Sequence, residues 1–369
     1  MADRYDISDA PELVEPLEQH RIDTARLAAW LSNHVPAAAR GLAVQQFQGG
    51  MSNPTYLIEV AGGERYVIRK KPPGKLLPKA HQIDREHKVM AALEGSGVPV
   101  PRQIALCEDP DVIGAEFFVM EFVDGRIIKP PTLDPVAVGD RRALYFDLID
   151  VMAALHSVDH VAVGLERFGR PDGYLARQTA RWAGQYEAAK EALPADFDYT
   201  DFDWLRDWIL ERAGDYEATS IVHGDFRPGN TITHATDPKC VAVLDWELAT
   251  IGHPLSDLAY FCLPYRQPYD PLGGFVGIDR EAMGLPAEEE LLARYAEKTA
   301  RAGIDDWPVY MAFSFFRIAA IVQGVAARAA LGNVSSASAD AGRDLGRAKI
   351  MAEIGAGIAR DHDRARRET

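Results

Sequence analysis

Ile221-Val222-His223-Gly224-Asp225-Phe226-Arg227-Pro228-Gly229-Asn230, followed after a short apolar run by Val243-Leu244-Asp245-Trp246-Glu247, decides the reading of this chain. A carboxylate, an amide a few positions on, and a second carboxylate beyond a strand-like run form the set that metal-assisted phosphoryl transfer needs. Asp225, on a turn-rich segment, can accept a hydroxyl proton and orient that hydroxyl for in-line attack. Asn230 and Asp245 offer the hard oxygen ligands that Mg²⁺ prefers. Arg227 stands where a cation could steady the transferring phosphate.

Upstream, the pattern is strand-like. Short period-two runs, LAVQQFQ from Leu42, then TYLIEV and RYVIRK joined across Ala61-Gly62-Gly63-Glu64, predict antiparallel strands with a hairpin. Ile83, Val89, Met90 and Leu93 predict a helix over 82–93, stopped by Gly95, Gly97 and Pro99. Strands near 102–107 and 116–122 complete a five-stranded lobe. Residues 1–20 read as a mobile arm, followed by a helix capped by Asp23 or Thr24 with Leu27, Leu31 and Val35 on one face. Pro130, Pro131 and Pro135 mark a change to mainly helical sequence, with helices expected over 141–156, 288–302, 307–331 and 338–359. The acidic stretch 191–218 reads as a solvated helix and loop. The expected division is an arm and helix at 1–40, a nucleotide-binding lobe at 41–122, a hinge at 123–135 and a helical lobe at 136–369.

HGDFRPGN resembles the HGDxxxxN loop of the aminoglycoside phosphotransferase and choline kinase branch of the protein-kinase-like superfamily, and LDWE stands where protein kinases have DFG. The resemblance implies an α+β, two-lobed protein-kinase-like fold with ATP or GTP and Mg²⁺ in the cleft, Asp225 as base, and Asn230 and Asp245 as metal ligands. It places Arg69 of Tyr66-Val67-Ile68-Arg69 at the strand position that reaches the α and β phosphates. Period-two geometry sets Lys70, the runner-up, on the opposite face. Glu86 is then the expected ion-pair partner of Arg69. Gly49-Gly50-Met51-Ser52-Asn53-Pro54-Thr55 occupies the position of the family's nucleotide-positioning loop, with Ser52 and Asn53 as hydrogen-bonding groups. Glu121-Phe122-Val123 resembles the hinge whose backbone meets the adenine edge. Gly252-His253-Pro254-Leu255-Ser256-Asp257-Leu258-Ala259 resembles the GxPxxDLA segment, which gives Asp257 a structural role on the loop backbone. His223 is expected to anchor the loop.

Gly224 replaces the arginine that meets a phosphorylated activation loop in many protein kinases, and Trp246-Glu247 replaces Phe-Gly. A small molecule carrying a hydroxyl is therefore the expected acceptor, not a protein. The run from Arg69 to Lys88, with Lys70, Lys71, Lys75, Lys79 and Arg85, makes a basic entrance suited to an anionic ligand. YVIRKKPPGK, REHKVM, VMEFVDGR and VHGDFRPGN most closely resemble the kinase-like domains associated with acyl-CoA dehydrogenases, over roughly residues 40 to 330. That likeness implies a hydroxyacyl-CoA or hydroxy acid as acceptor. An aminoglycoside-type kinase and a nucleotide-binding pseudokinase with a regulatory role are the alternatives; the two lobes account for the chain without a dehydrogenase domain.

A formal charge of −15 over 369 residues argues against nucleic acid as a partner, since counterion release needs a basic face. Cys107, Cys240 and Cys262 stand far apart, which suggests a reducing, cytoplasmic setting. The acidic N-terminus lacks the basic-then-apolar order of a signal peptide. Arg317, Gln323 and Arg328 inside the apolar stretch 313–332 make it a core helix and not a membrane span. The oligomeric state is open.

Overall fold

The computed structural model describes residues 12–16, 18, 21–48, 53–72, 82–215, 218–332 and 340–368. Its N-terminal part is one antiparallel sheet of β1 (Leu13–Val14), β2 (Leu42–Phe47), β3 (Thr55–Val60), β4 (Arg65–Lys70), β5 (Gln103–Cys107) and β6 (Phe117–Glu121), in the order β1-β2-β3-β4-β6-β5. The sheet has six strands, not five, because Leu13 and Val14 pair with Phe47 and Gln46 at its edge. In the β3–β4 hairpin, Gly62 and Gly63 hold φ of 121° and 87°, a turn geometry that glycine adopts without a Cβ penalty.

Alternation along the strands divides two cores. Tyr56, Ile58, Ile68, Phe117 and Val119 face α1 (Thr24–Leu31) and bury with its Leu27 and Leu31. Asp23 caps that helix through Ala25 N and Arg26 N, both at 3.0 Å. The opposite positions, Val67, Phe118 and Met120, pack with Val89 and Met90 of α2 (Ile83–Leu93) in a core that continues into the helical part. The sheet's second face is thus both a wall of the interlobe cleft and a piece of the larger core.

The C-terminal part is built from α3 (Val138–Ser157), α4 (Tyr174–Lys190), α5 (Thr200–Arg212), α6 (Pro254–Phe261), the short α7 (Tyr269–Leu272), α8 (Glu288–Lys298), α9 (Trp307–Ala330) and α10 (Ala341–Glu368). α4 was not anticipated, and α10 runs further than the expected helix. The acidic stretch 191–218 contains α5, whose Phe202, Leu205, Trp208 and Ile209 are buried. By length and composition α9 could cross a membrane, yet 72% of its most apolar window is buried inside the protein. Two small antiparallel ribbons lie between these helices: β7 (Ser220–Val222) with β10 (Thr250–Gly252), and β8 (Thr231–Thr233) with β9 (Cys240–Val243). The 223–230 loop leads from the first ribbon into the second, and 244–249 leads back. Their shared ends hold Asp225, Asn230 and Asp245 together.

Candidate active site

The 223–230 loop is held through many of its backbone groups. The buried Asp257 carboxylate accepts from His223 N at 2.6 Å and Gly224 N at 2.9 Å, and His156 Nε2 lies 3.4 Å away on its other side. Burial opposes the Asp257 charge, but the histidines and the Gly224 N–H outweigh it and hold its carboxyl below the usual range. His223 is fully buried, with Nε2 2.9 Å from Leu244 O, and its Nδ1 accepts from Asp225 N at 3.1 Å. It anchors the loop, as its sequence context suggests. Asn230 Nδ2 donates to Asp225 O at 2.8 Å and to Asp225 Oδ2 at 2.7 Å, while Asn230 O accepts from Leu244 N. Asp225 Oδ1 makes no hydrogen bond among the described residues; Arg227 Nε stands 3.4 Å from it.

Arg69 joins the two lobes' charged groups. Its Nε lies 2.8 Å from Glu86 Oε2 and its second guanidinium nitrogen donates to Asp245 Oδ1 at 2.8 Å. Burial works against the Arg69 charge, but Glu86, Asp245 and Glu247 together raise its pKa. Burial also pushes the Glu86 carboxyl up to about 7, against the pull of Arg69. Lys70 points to the other face, where its Nζ is buried on Ile113 O at 2.8 Å. Asp245 has φ 64° and ψ 58°, a left-handed conformation uncommon outside glycine.

Asn53 does not reach into the cleft: it is 1% exposed, and its Nδ2 donates to Glu86 Oε1 at 3.0 Å. It therefore braces the acid that holds Arg69. Ser52 lies outside the described residues, as do Lys75 and Lys79 of the basic run. Within the described part of that run, Lys71 pairs with Glu116, and Arg85 donates to Phe168 O and Ala249 O and covers the Phe168 ring.

Between the lobes lies a cleft of about 220 Å³ walled by Phe47, Val67, Met120, Ile232 and Leu244, with Arg69 and Asp245 at one end. Glu121 and Val123 line it at the other end. The Glu121 carboxylate is turned to Arg102 N at 3.0 Å, so only its backbone faces a ligand. No group among the described residues accepts from Val123 N–H. The donor set fits a Mg²⁺ that keeps water and substrate phosphate oxygens: Asp245 is partly exposed, and the Asn230 amide nitrogen is committed to Asp225, which leaves its oxygen for a cation. No group of three or more His, Cys, Asp or Glu that could cage a metal occurs among the described residues.

Arg317, on α9, stands out in the sequence only as a charge unsuited to a membrane. It is 4% exposed, donates to Gly224 O, and lies 5.1 Å from the Tyr260 ring centroid. Tyr260, on α6, is pushed up by burial and by the Asp225 charge. No local signal marks these residues, because they reach the loop only through helix packing.

Residues 43–313 match the model of the phosphotransferase enzyme family, and the chain belongs to that family. The fold is kinase-like. The chain is 42% identical over 336 residues to acyl-CoA dehydrogenase family member 11 of Rattus norvegicus, covering 88% of this chain and 42% of the relative's length. It thus spans less than half of that relative. A solved structure from Ralstonia eutropha, provisionally named an aminoglycoside phosphotransferase, has 40% identity and a TM-score of 0.82, covering 92% of this chain and 99% of the other. A choline kinase from Cryptosporidium parvum shares the fold with a TM-score of 0.62 at 14% identity, covering 92% and 96%. The aminoglycoside phosphotransferase APH(4)-Ia, in a complex with AMP-PNP and hygromycin B, shares it with a TM-score of 0.57 at 17% identity, covering 90% and 99%.

Proposed function

We propose that the protein transfers the γ-phosphoryl group of ATP or GTP to a hydroxyl of a small organic acid or its coenzyme A thioester. The observation that carries this reading is the convergence of Asp225, Asn230, Asp245 and Arg69 at the end of an apolar interlobe cleft. In the reaction, the acceptor oxygen forms a bond to the γ phosphorus and the bond to the β–γ bridging oxygen breaks. ADP or GDP leaves, and the hydroxyl proton passes to Asp225. Asp225 supplies the accepting lone pair at Oδ1, beside Arg227 Nε, while Asn230 holds Oδ2 and fixes the carboxylate plane. Arg69 cradles the phosphates from the lobe above, held by Glu86, and Arg227 covers the transferring group from below. Mg²⁺, on Asn230 and Asp245, would neutralise charge developing on the phosphate oxygens. The apolar walls take the base, with the Val123 N–H as its partner.

The acyl acceptor is supported by relatives named as acyl-CoA dehydrogenases, whose longer chains include a segment like this one. The test is Mg²⁺-dependent nucleoside diphosphate release across hydroxyacyl-CoAs, hydroxy acids, choline-like alcohols and aminoglycosides. Asp225→Ala should lower turnover on the order of 10²–10⁴-fold with nucleotide affinity nearly unchanged. An equal loss of nucleotide binding would count against the assigned role of Asp225.

A further inference from the structure

Around Arg317, which holds the 223–230 loop through Gly224 O, three buried polar side chains have hydrogen-bonding atoms without partners among the described residues. Arg317 Nε, Trp182 Nε1 and Ser314 Oγ meet no acceptor among the described residues, at 4%, 7% and 1% exposure. Arg317 and Trp182 sit together, the guanidinium carbon 5.8 Å from the indole centroid, and Ser314 lies one turn before Arg317 on α9. Arg317 forms no ion pair with any described carboxylate. Its one hydrogen bond among the described residues is to Gly224 O. A buried guanidinium without a counter-charge is costly, and rings on two sides offset only part of that cost.

The chemistry of the vacant partners is one-sided. Guanidinium and indole N–H groups can only donate, and the serine hydroxyl can donate as well. A buried water would accept two of these bonds but would then need acceptors for its own hydrogens. An oxygen that only accepts suits donors of this kind better. Arg317 also holds the carbonyl of the residue before Asp225, so an oxygen bound there sits a few bonds from a hydroxyl at Asp225.

We propose that Arg317, Trp182 and Ser314 are the receptor for the acyl carbonyl oxygen of the acceptor, whether carboxylate or thioester, and so select hydroxyacyl compounds over simple alcohols. The proposal rests on the phosphotransfer reading and assigns its substrate class to particular residues. Tyr260, whose ring lies beside the guanidinium, is the partly exposed member of the cluster.

The test uses the full chain with Mg²⁺-ATP and straight-chain hydroxyhexanoates bearing the hydroxyl at C3 to C6, their coenzyme A thioesters, and the matching hexanediols. Nucleotide affinity is measured separately by calorimetry. At least one acid or thioester should be phosphorylated with kcat/KM on the order of 10–10²-fold above its diol. Arg317→Gln should shrink that ratio toward one by slowing the acyl compound more than the diol. Trp182→Phe keeps the ring and the Arg317 contact with Gly224, and it should shrink the ratio in the same direction even if the arginine variant folds poorly. Equal slowing of acid and diol in both variants would overturn the proposal and leave Arg317 as a residue that only positions Gly224. Turnover of diols as fast as acids in the unaltered protein would overturn it too, as would no turnover of any acyl compound by protein that binds Mg²⁺-ATP. Failure to bind Mg²⁺-ATP would strike the phosphotransfer reading itself.

Discussion

Glu86→Gln should make the protein more stable and less active at the same pH. Glutamine has the shape of a protonated glutamate, so it can keep the Asn53 bond while losing the ion pair with Arg69. Burial raises the Glu86 carboxyl from 4.5 to about 7. Between those values the folded protein binds a proton that the unfolded chain has released, so stability falls as pH rises through that window. The rise corresponds to roughly 3 kcal/mol at pH 8, an upper figure for what the charged Glu86 costs there and Gln would return. Activity moves the other way. Arg69 loses a charge-assisted bond worth about 1.5–3 kcal/mol and turns wholly to Asp245, so kcat/KM for ATP should fall about 10- to 150-fold. The assay is urea unfolding of both proteins from pH 4 to 8, beside steady-state kinetics. A stability difference that does not grow between pH 4.5 and 7, or a Gln variant with undiminished kcat/KM, would refute the reasoning.

Lys70→Met should leave ATP affinity within about twofold, because its Nζ serves Ile113 O on the far face, whereas Arg69→Met should weaken it by an order of magnitude or more; nucleotide titration of the two variants separates them. Gly224→Ala should destabilise by about 1–3 kcal/mol and cut kcat, since residue 224 has φ 84° and a Cβ there would meet Leu248 O at 2.8 Å; unfolding and turnover measured together check this. His253 is held neutral by burial, then by the nearby Arg301 and His156, which lowers it to about 4. Its contribution to stability is complete above pH 6.5 and is lost as pH falls through 4, a change of roughly 3 kcal/mol that His253→Gln should remove from an acid unfolding series.

What the sequence made legible follows from how locally each feature is determined. The order of Asp225, Asn230 and Asp245 is set by two short loops at ribbon ends, so spacing along the chain carries most of the geometry. The choice of Arg69 over Lys70 needs only strand parity, and the structure obeys it. The bond from Asn53 to Glu86 was not legible, because it crosses a helix packing that no spacing rule reports. The edge strand at Leu13–Val14 is two residues long, too short for any periodicity. α4 mixes Arg181, Gln185 and Glu187 with Trp182 and Tyr186, and its apolar side becomes evident only against α9. Arg317 is the extreme case, reaching Gly224 from 93 positions further along the chain.

The peptide between Gly224 and Asp225 is where these long-range contacts converge. Asp257 holds the N–H of Gly224 on one side, Arg317 takes its carbonyl on the other, and His223 Nδ1 accepts the N–H of Asp225. Three elements far apart in sequence, the start of α6, the middle of α9 and the end of β7, therefore set the plane from which the Asp225 side chain projects. Such a carboxylate needs little reorganisation as charge develops, the condition under which fixed groups lower a barrier most. Arg317 spends one donor on this peptide and keeps its Nε without a partner among the described residues, so the group that aligns the base also faces the proposed acyl oxygen. An acceptor that engages Arg317 would tighten the loop through the same guanidinium. Substrate recognition should then appear in kcat as well as KM: a diol that cannot reach Arg317 would meet a looser Asp225, and its slower turnover would persist at saturating concentration.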